Sequence, residues 1–524
     1  MQMRKKTILG YLVASMIILC AWLSVDASAN VQTMDSVADP YDTTIQQQIY
    51  EEIENKKEAN TYTLENMLLI YNPYGTNTLS LYGYFETDAA STLSYTIHVE
   101  DEDIADFTRV ISNEYTTEHE FQVIGLLPDR VNTIIFTIQN EEGVISEITT
   151  TYHVGSLLGE EAIQLEASEQ SNIEEVTEGL YTLLGNDNDS NQNFIYLYDE
   201  HGVLRGEIPL GNFRSHRLVF QNDVMYFSYG TSQIAAMNSL GQIIATYDLE
   251  NYELHHDYVL DDKGNLLILA DDTRKTSKED QIIALNLATG DVSLVVDFTQ
   301  IMTLYYVTAQ DQTSDMLDWL HLNTIQALGD GSIIVSSRET STIIKLSNIY
   351  DQPSIDYMIG EETFWEDTAY DSLLLEKQGN FSSQGGQHSV TYVEDEGLED
   401  GQYYLIMFNN NFGFSKSQSS YDWRLIPDIA VKTNDESANS YYYKYLVDEL
   451  TGTYELVDSF AIPFSPYISS VQDINGNTVI DSGNDSILQE YNEDHELIRS
   501  FQVNSGNYVY RIYKYTFDGF YFNK

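Results

Sequence analysis

The sequence predicts an all-β protein, a six-bladed β-propeller preceded by a small Ig/fibronectin-like β-sandwich. Three observations lead there. Short β-type runs parted by turn residues fill residues 62–155, and a segment rich in Glu, Ser and Gln but poor in aromatics, 156–179, divides the chain. From Leu180 onward a loose repeat recurs: an apolar strand, a turn of Asp or Asn with Gly, and a second strand. At 524 residues the chain exceeds what one ordinary core serves, so two folded domains are expected.

Taken in order, Arg4, Lys5 and Lys6 precede an apolar run from Ile8 to Leu23, and Ala27-Ser28-Ala29 then offers a small-x-small cleavage site. Residues 1–29 read as a signal peptide or, if uncut, an N-terminal anchor, so the protein is expected to be exported: secreted, periplasmic or at the cell surface. The single cysteine, Cys20, lies inside that run, so a cleaved chain holds no thiol for disulfides, metal ligation or nucleophilic catalysis. Residues 30–61 are polar, and Ile45, Ile49, Tyr50 and Ile53 carry helical spacing, which predicts a leader with one exposed helix. In 62–155, runs such as Met67–Tyr71, Leu79–Phe85, Leu93–Val99, Glu120–Ile124 and Ile134–Ile138, with turns at Asn72-Pro73-Tyr74-Gly75 and Leu127-Pro128-Asp129, predict about seven short strands. Residues 156–179 are expected to be an interdomain linker and 180–524 the propeller domain. Its hairpin turns include Asp261-Asp262-Lys263-Gly264-Asn265 and Asp473-Ile474-Asn475-Gly476-Asn477.

Removing residues 1–29 leaves 22 basic against 81 acidic side chains. Such a field repels nucleic acid, which is excluded as a partner. It also makes a lone cation beside histidines informative. Arg338, in Ser336-Ser337-Arg338, is one; around it in sequence stand His255-His256-Asp257, Asp318-Trp319-Leu320-His321-Leu322-Asn323 and Gln384-Gly385-Gly386-Gln387-His388. Innermost propeller strands converge on a central channel, which would gather these motifs. Strand alternation is expected to place His321 with Asn323 and to separate His255 from His256. His98, His119, His153, His201, His216 and His495 are expected to be hydrogen-bonded structural residues, and Trp319 a packing aromatic. Imidazoles, an amide and a guanidinium suit a compact tetrahedral anion and the transfer of a group from it.

These four motifs, in this order, resemble the bacterial arylsulfate sulfotransferases, which need no nucleotide sulfate donor. Asn72–Asn77 and Gly125-Leu126-Leu127-Pro128 resemble that family's N-terminal sandwich. The resemblance implies ping-pong transfer of a sulfuryl group from an aryl sulfate to a phenol through a sulfated histidine. His388 is then the nucleophile, with His256, His321 and Arg338 catalytic and Asn323 and His255 binding substrate. The sequence does not decide which of His256 and His321 moves the proton, nor whether His255 or His256 faces the site. No metal and no cofactor are expected. The partners implied are small phenols and aryl sulfates, a second copy of the chain in a homodimer, and a membrane only where the N-terminal segment is retained. Several periplasmic relatives carry a disulfide near the site; here packing and hydrogen bonds must order Gly379–Gln387 instead. Two other readings are a metal-dependent hydrolase using His255, His256, His321 and Asp257, and a non-catalytic glycan-binding or scaffold propeller. The P-loop pattern is absent.

Overall fold

The computed structural model describes residues 23–25, 30–159, 161–170, 173–185, 193–309, 316–505 and 508–524. The predicted signal peptide, apart from the backbone of Leu23–Val25, and Cys20 lie outside the described residues. Among the described residues no helix is long and apolar enough to cross a membrane.

The architecture is all-β, an Ig-like sandwich followed by a propeller. The sandwich strands are Leu68–Tyr71, Ser80–His98, Phe107–Ile124, Val131–Asn140 and Ile145–His153. Two of them are far longer than the sequence suggests. Ser80–His98 pairs with Leu68–Tyr71 at its start and Val131–Asn140 at its end, with the register shifting between Glu86 and Ser91. The polar break at Thr87–Ala90 is thus a bulge inside one strand, letting it change neighbours, and not a turn between two.

The helix expected to be exposed is Thr43–Ala59, and it is docked. Asp42 caps it, accepting from Thr44 and Ile45 N–H, and Gln46, Ile49 and Ile53 are buried. The Gln46 amide ties both domains together: Nε2 donates to Tyr74 O (2.9 Å) and Oε1 accepts from Ile243 N (3.0 Å). The apolar spacing marks Ile49 and Ile53, but not that Gln46, one turn earlier, completes the buried face.

Residues 156–179 are not a free linker. Glu166–Gln170 pairs antiparallel with Leu497–Gln502 as an added edge strand, and Thr177 N and Oγ1 both donate to Glu490 Oε1 at 3.0 Å. Charge suits an edge strand, which is why its composition reads as a linker.

From there, among the described residues, six sheets of four or five strands follow one another. Their innermost strands are Val219–Gln221, Tyr252–Leu260, Leu322–Ala327, His388–Val393, Ser470–Ile474 and Ile512–Tyr515. The last completes the sheet begun by Leu180–Leu183, so the propeller's first and last strands close the ring. Neighbouring inner strands are cross-tied: Asp257 accepts from Ile325 N (3.3 Å), Ser389 Oγ donates to Val471 O (3.0 Å), and Ser470 Oγ donates to Ile512 O (2.8 Å). The hairpin glycines take the positive φ their turns require, as at Gly264 (+77°) and Gly476 (+89°).

Candidate active site

The four motifs meet at one end of the inner strands. Three inner strands shift register there: between Leu254 and Tyr258, between Leu322 and Thr324, and between His388 and Thr391. Positive φ at His256 (+56°), His321 (+52°) and Ser389 (+55°) accompanies the bulges. Such backbone costs a residue with a Cβ about 1–2 kcal/mol, which marks positions held by their surroundings. The bulges correct the alternation argument. His255 and His256 are not separated: their Nδ1 atoms lie 3.0 Å apart.

His388 is buried. Its Nδ1 lies 2.9 Å from Gly386 O and 2.8 Å from Asn410 Oδ1. The Asn410 amide cannot turn round, because Nδ2 donates to Ser465 O (2.8 Å) and Ile468 O (3.0 Å). Both neighbours of Nδ1 are therefore acceptors, the ring hydrogen sits on Nδ1, and Nε2 keeps its lone pair. Burial drives the His388 pKa down to about 3; the Asn410 bond opposes this, while Arg338, His321 and Arg511 add to it. The imidazole is neutral through the physiological range. Asn410, far from the motifs in sequence, gave no signal there. Asn410→Ala should slow transfer about tenfold or more, the worth of one buried hydrogen bond. Comparison of kcat with folding stability checks this, since Ser465 O and Ile468 O lose a donor at the same time.

His321 is in the opposite state. Its Nδ1 contacts Glu279 Oε2 and lies 2.8 Å from Asp318 Oδ2. Burial and the Arg338 cation oppose protonation, but Glu279 and Asp318 outweigh them and raise its pKa to about 9. Glu279, which the sequence reading missed, is buried and held well below the usual carboxylate range by His321 and His256 despite that burial. The His256 ring is 4.7 Å from that of His321, and burial keeps it well below the ordinary histidine value, against the pull of Glu279. The two rings are thus an imidazolium and a neutral imidazole. The folded-state pKa of His321 lies above the unfolded value of about 6.5. Its contribution to stability is accordingly complete below pH 6.5 and lost as pH rises through about 9. Glu279→Gln should move that loss to lower pH, read by denaturation midpoints across an alkaline series.

Asp257 does not serve His256. It takes a two-pronged ion pair from Arg217 (3.0 Å each) and accepts from Arg511 Nη1 (2.9 Å). The metal-hydrolase set therefore loses Asp257, while His256, Glu279 and His321 bring ligand atoms within 4.8 Å and could hold an ion. His255 Nε2 is 3.8 Å from Asp271 Oδ1. Asn323 is the bulged residue of its strand and donates from Nδ2 to Gln387 O (2.8 Å), fixing the chain next to His388. His216 is buried, but neither ring nitrogen has a hydrogen-bond partner among the described residues, unlike the bonded core histidine expected. Arg511 Nη1 donates to its carbonyl at 3.0 Å.

Arg338 follows the strand Ile333–Ser337, with its N–H donating to His321 O (3.2 Å). Its Nη2 donates to Glu339 Oε1 (2.7 Å), and the side chain borders a cavity of about 280 Å³. Phe412, Phe414 and Tyr467 form aromatic parts of the wall. The glycine pair seats that wall: a Cβ on Gly385 would come within 2.6 Å of Ile429 Cδ1, and one on Gly386 within 3.1 Å of Phe412 O. The loop needs no disulfide. Gln384 Nε2 donates to Ser341 O and Ile359 O (3.0 Å each), Gly385 N to Asn409 Oδ1 (2.9 Å), and Gln387 Nε2 to Ser336 Oγ (2.9 Å).

Residues 166–515 match the family described as arylsulfotransferase (ASST), and residues 68–155 the arylsulfotransferase Ig-like domain. The chain belongs to the arylsulfotransferase family. It is an enzyme of aryl sulfates and phenols. No curated protein matches the chain. It is similar to the crystal structures of a protein of unknown function from Bacteroides caccae (10% identity, 64% of this chain and 98% of that one, TM-score 0.36) and a functionally unknown protein from Desulfotomaculum acetoxidans (8%, 72% and 95%, 0.35). It is also similar to the WD40 domain of Toxoplasma gondii coronin (12%, 66% and 75%, 0.33).

Proposed function

We propose that this arylsulfotransferase moves a sulfuryl group from an aryl sulfate to an acceptor phenol by a ping-pong route through sulfated His388. The observation that carries the proposal is the fixed tautomer of His388, whose Nε2 lone pair is free in a buried site beside Arg338. In the first half-reaction Nε2 attacks sulfur and the sulfur–oxygen bond to the aryl group breaks. The departing oxygen takes a proton from His321, whose Nδ1 side is committed to Glu279 and Asp318, leaving Nε2–H as the donor. The sulfated ring carries positive charge, which Gly386 O and Asn410 Oδ1 stabilise through Nδ1–H. In the second half the acceptor phenol gives its proton to the now neutral His321 and attacks sulfur, and the nitrogen–sulfur bond breaks. A pKa of about 9 lies close to that of a phenol, which suits a group that must give and regain one proton. Arg338 holds the sulfuryl oxygens and the aromatic wall takes the ring. The proposal includes export of the protein.

Incubation with an aryl sulfate and no acceptor should raise the intact mass by one sulfuryl group, located on His388. Label on Ser, Tyr or another His would refute the nucleophile. The cluster of His256, Glu279 and His321 supports a second, metal-dependent hydrolytic reading. Turnover that persists after exhaustive chelation removes it.

A further inference from the structure

The cavity beside Arg338 contains a second cation. Lys416 lines it with Phe412, Phe414 and Tyr467, and the Thr433 hydroxyl side chain lies on the same wall. Among the described residues no carboxylate pairs with the Lys416 ammonium; the one hydrogen bond seen for Lys416 is made by its backbone N–H. Lys416 is exposed at that wall, so its ammonium can meet an anion that enters the cavity. The backbone that carries it is held in place. The buried Glu339 carboxylate accepts from Arg338 Nη2 through Oε1 (2.7 Å). Through Oε2 it accepts from Lys416 N (2.6 Å) and Ser415 Oγ (3.2 Å). One carboxylate thereby sets the spacing between the guanidinium and the segment bearing the ammonium, and it is consumed in doing so.

We infer that Lys416 is a specificity residue, and that the preferred aromatic substrates carry a second anionic group, a carboxylate, sulfate or phosphate, on the ring away from the reacting oxygen. This rests on the sulfuryl-transfer reading above. Arg338 takes the reacting end, the aromatic wall takes the ring, and Lys416 meets the distal anion. An ion pair at a partly open wall is worth a modest factor and weakens with salt. The expected preference for an anionic over a neutral acceptor is accordingly about two- to fivefold.

The test uses one donor, 4-nitrophenyl sulfate, and three acceptors: 4-hydroxybenzoate, its methyl ester, and tyramine. The readout is the ratio of kcat/KM between acceptors, not any absolute rate, so a general effect of substitution on folding cancels. Wild type should favour the carboxylate over the ester, and the preference should shrink as ionic strength rises. Lys416→Met should bring the ratio near one, and Lys416→Glu should turn the preference toward tyramine. Ratios that stay the same in both variants, or a wild-type preference insensitive to salt, overturn the assignment of Lys416. A wild-type protein that sulfates none of the three overturns the transfer reading itself, and the inference falls with it.

Discussion

Replacing His388 with Asn is expected to abolish transfer from every aryl sulfate, a loss of about 10⁴-fold or more, since catalytic groups acting as a unit fail together. Asparagine can keep a hydrogen bond to Gly386 O or Asn410 Oδ1 but supplies no nucleophilic nitrogen. The loss should be the same for a nitrophenyl donor, whose phenolate leaves unaided, and for a donor with a poor leaving group. His321→Asn is expected to behave differently: little loss with the nitrophenyl donor and a large one with the poor leaving group, because protonation matters only where the oxygen departs reluctantly. His256→Asn should lower both alike. The comparison is made by single-turnover rates of the first half-reaction with the two donors. Equal losses for both donors in His321→Asn would sink its role as the acid and leave it a fixed charge.

The second large effect is at Arg338. Arg338→Lys keeps a cation but loses the planar fork, and its single ammonium would be drawn to Glu339, 2.7 Å from Nη2 in the native chain. The fork that holds the sulfuryl oxygens is then lost while charge builds on the departing oxygen. Loss of such a contact is worth about 10²–10³ in rate. Folding stability should change far less, because the Glu339 ion pair survives in altered form. A fully active Lys variant would make Arg338 a structural residue that does no more than hold Glu339 in place.

The fold class was legible because hairpin turns with glycine and period-two patterning are local properties, and both domains are built from them. The four motifs were legible as residue types: a guanidinium among imidazoles is conspicuous in so acidic a chain. What the sequence could not give was direction. The bulges between Leu254 and Tyr258 and at Asn323 reverse the alternation that would place His255, His256 and Asn323. Asp257, adjacent to His256, instead answers Arg217 and Arg511, the latter brought from the last inner strand's approach by ring closure. Glu279 and Asn410, which set the protonation of His321 and His388, lie in stretches with no distinguishing pattern. The helix was legible but its docking was not, because the contact that ties it to both domains is a glutamine, and the edge strand Glu166–Gln170 was missed because polar composition marks an edge as readily as a linker.

Ring closure also imposes an order on synthesis. Tyr510 stands against His256, their rings 5.7 Å apart, and Arg511 reaches Asp257 and the carbonyl of His216. Both residues enter just before Ile512–Tyr515, the strand that closes the first sheet. A growing chain can therefore have His256, His321, Arg338 and His388 all made before the contacts of Tyr510 with His256 and of Arg511 with Asp257 can form. The inner strand made last is the one that brings them.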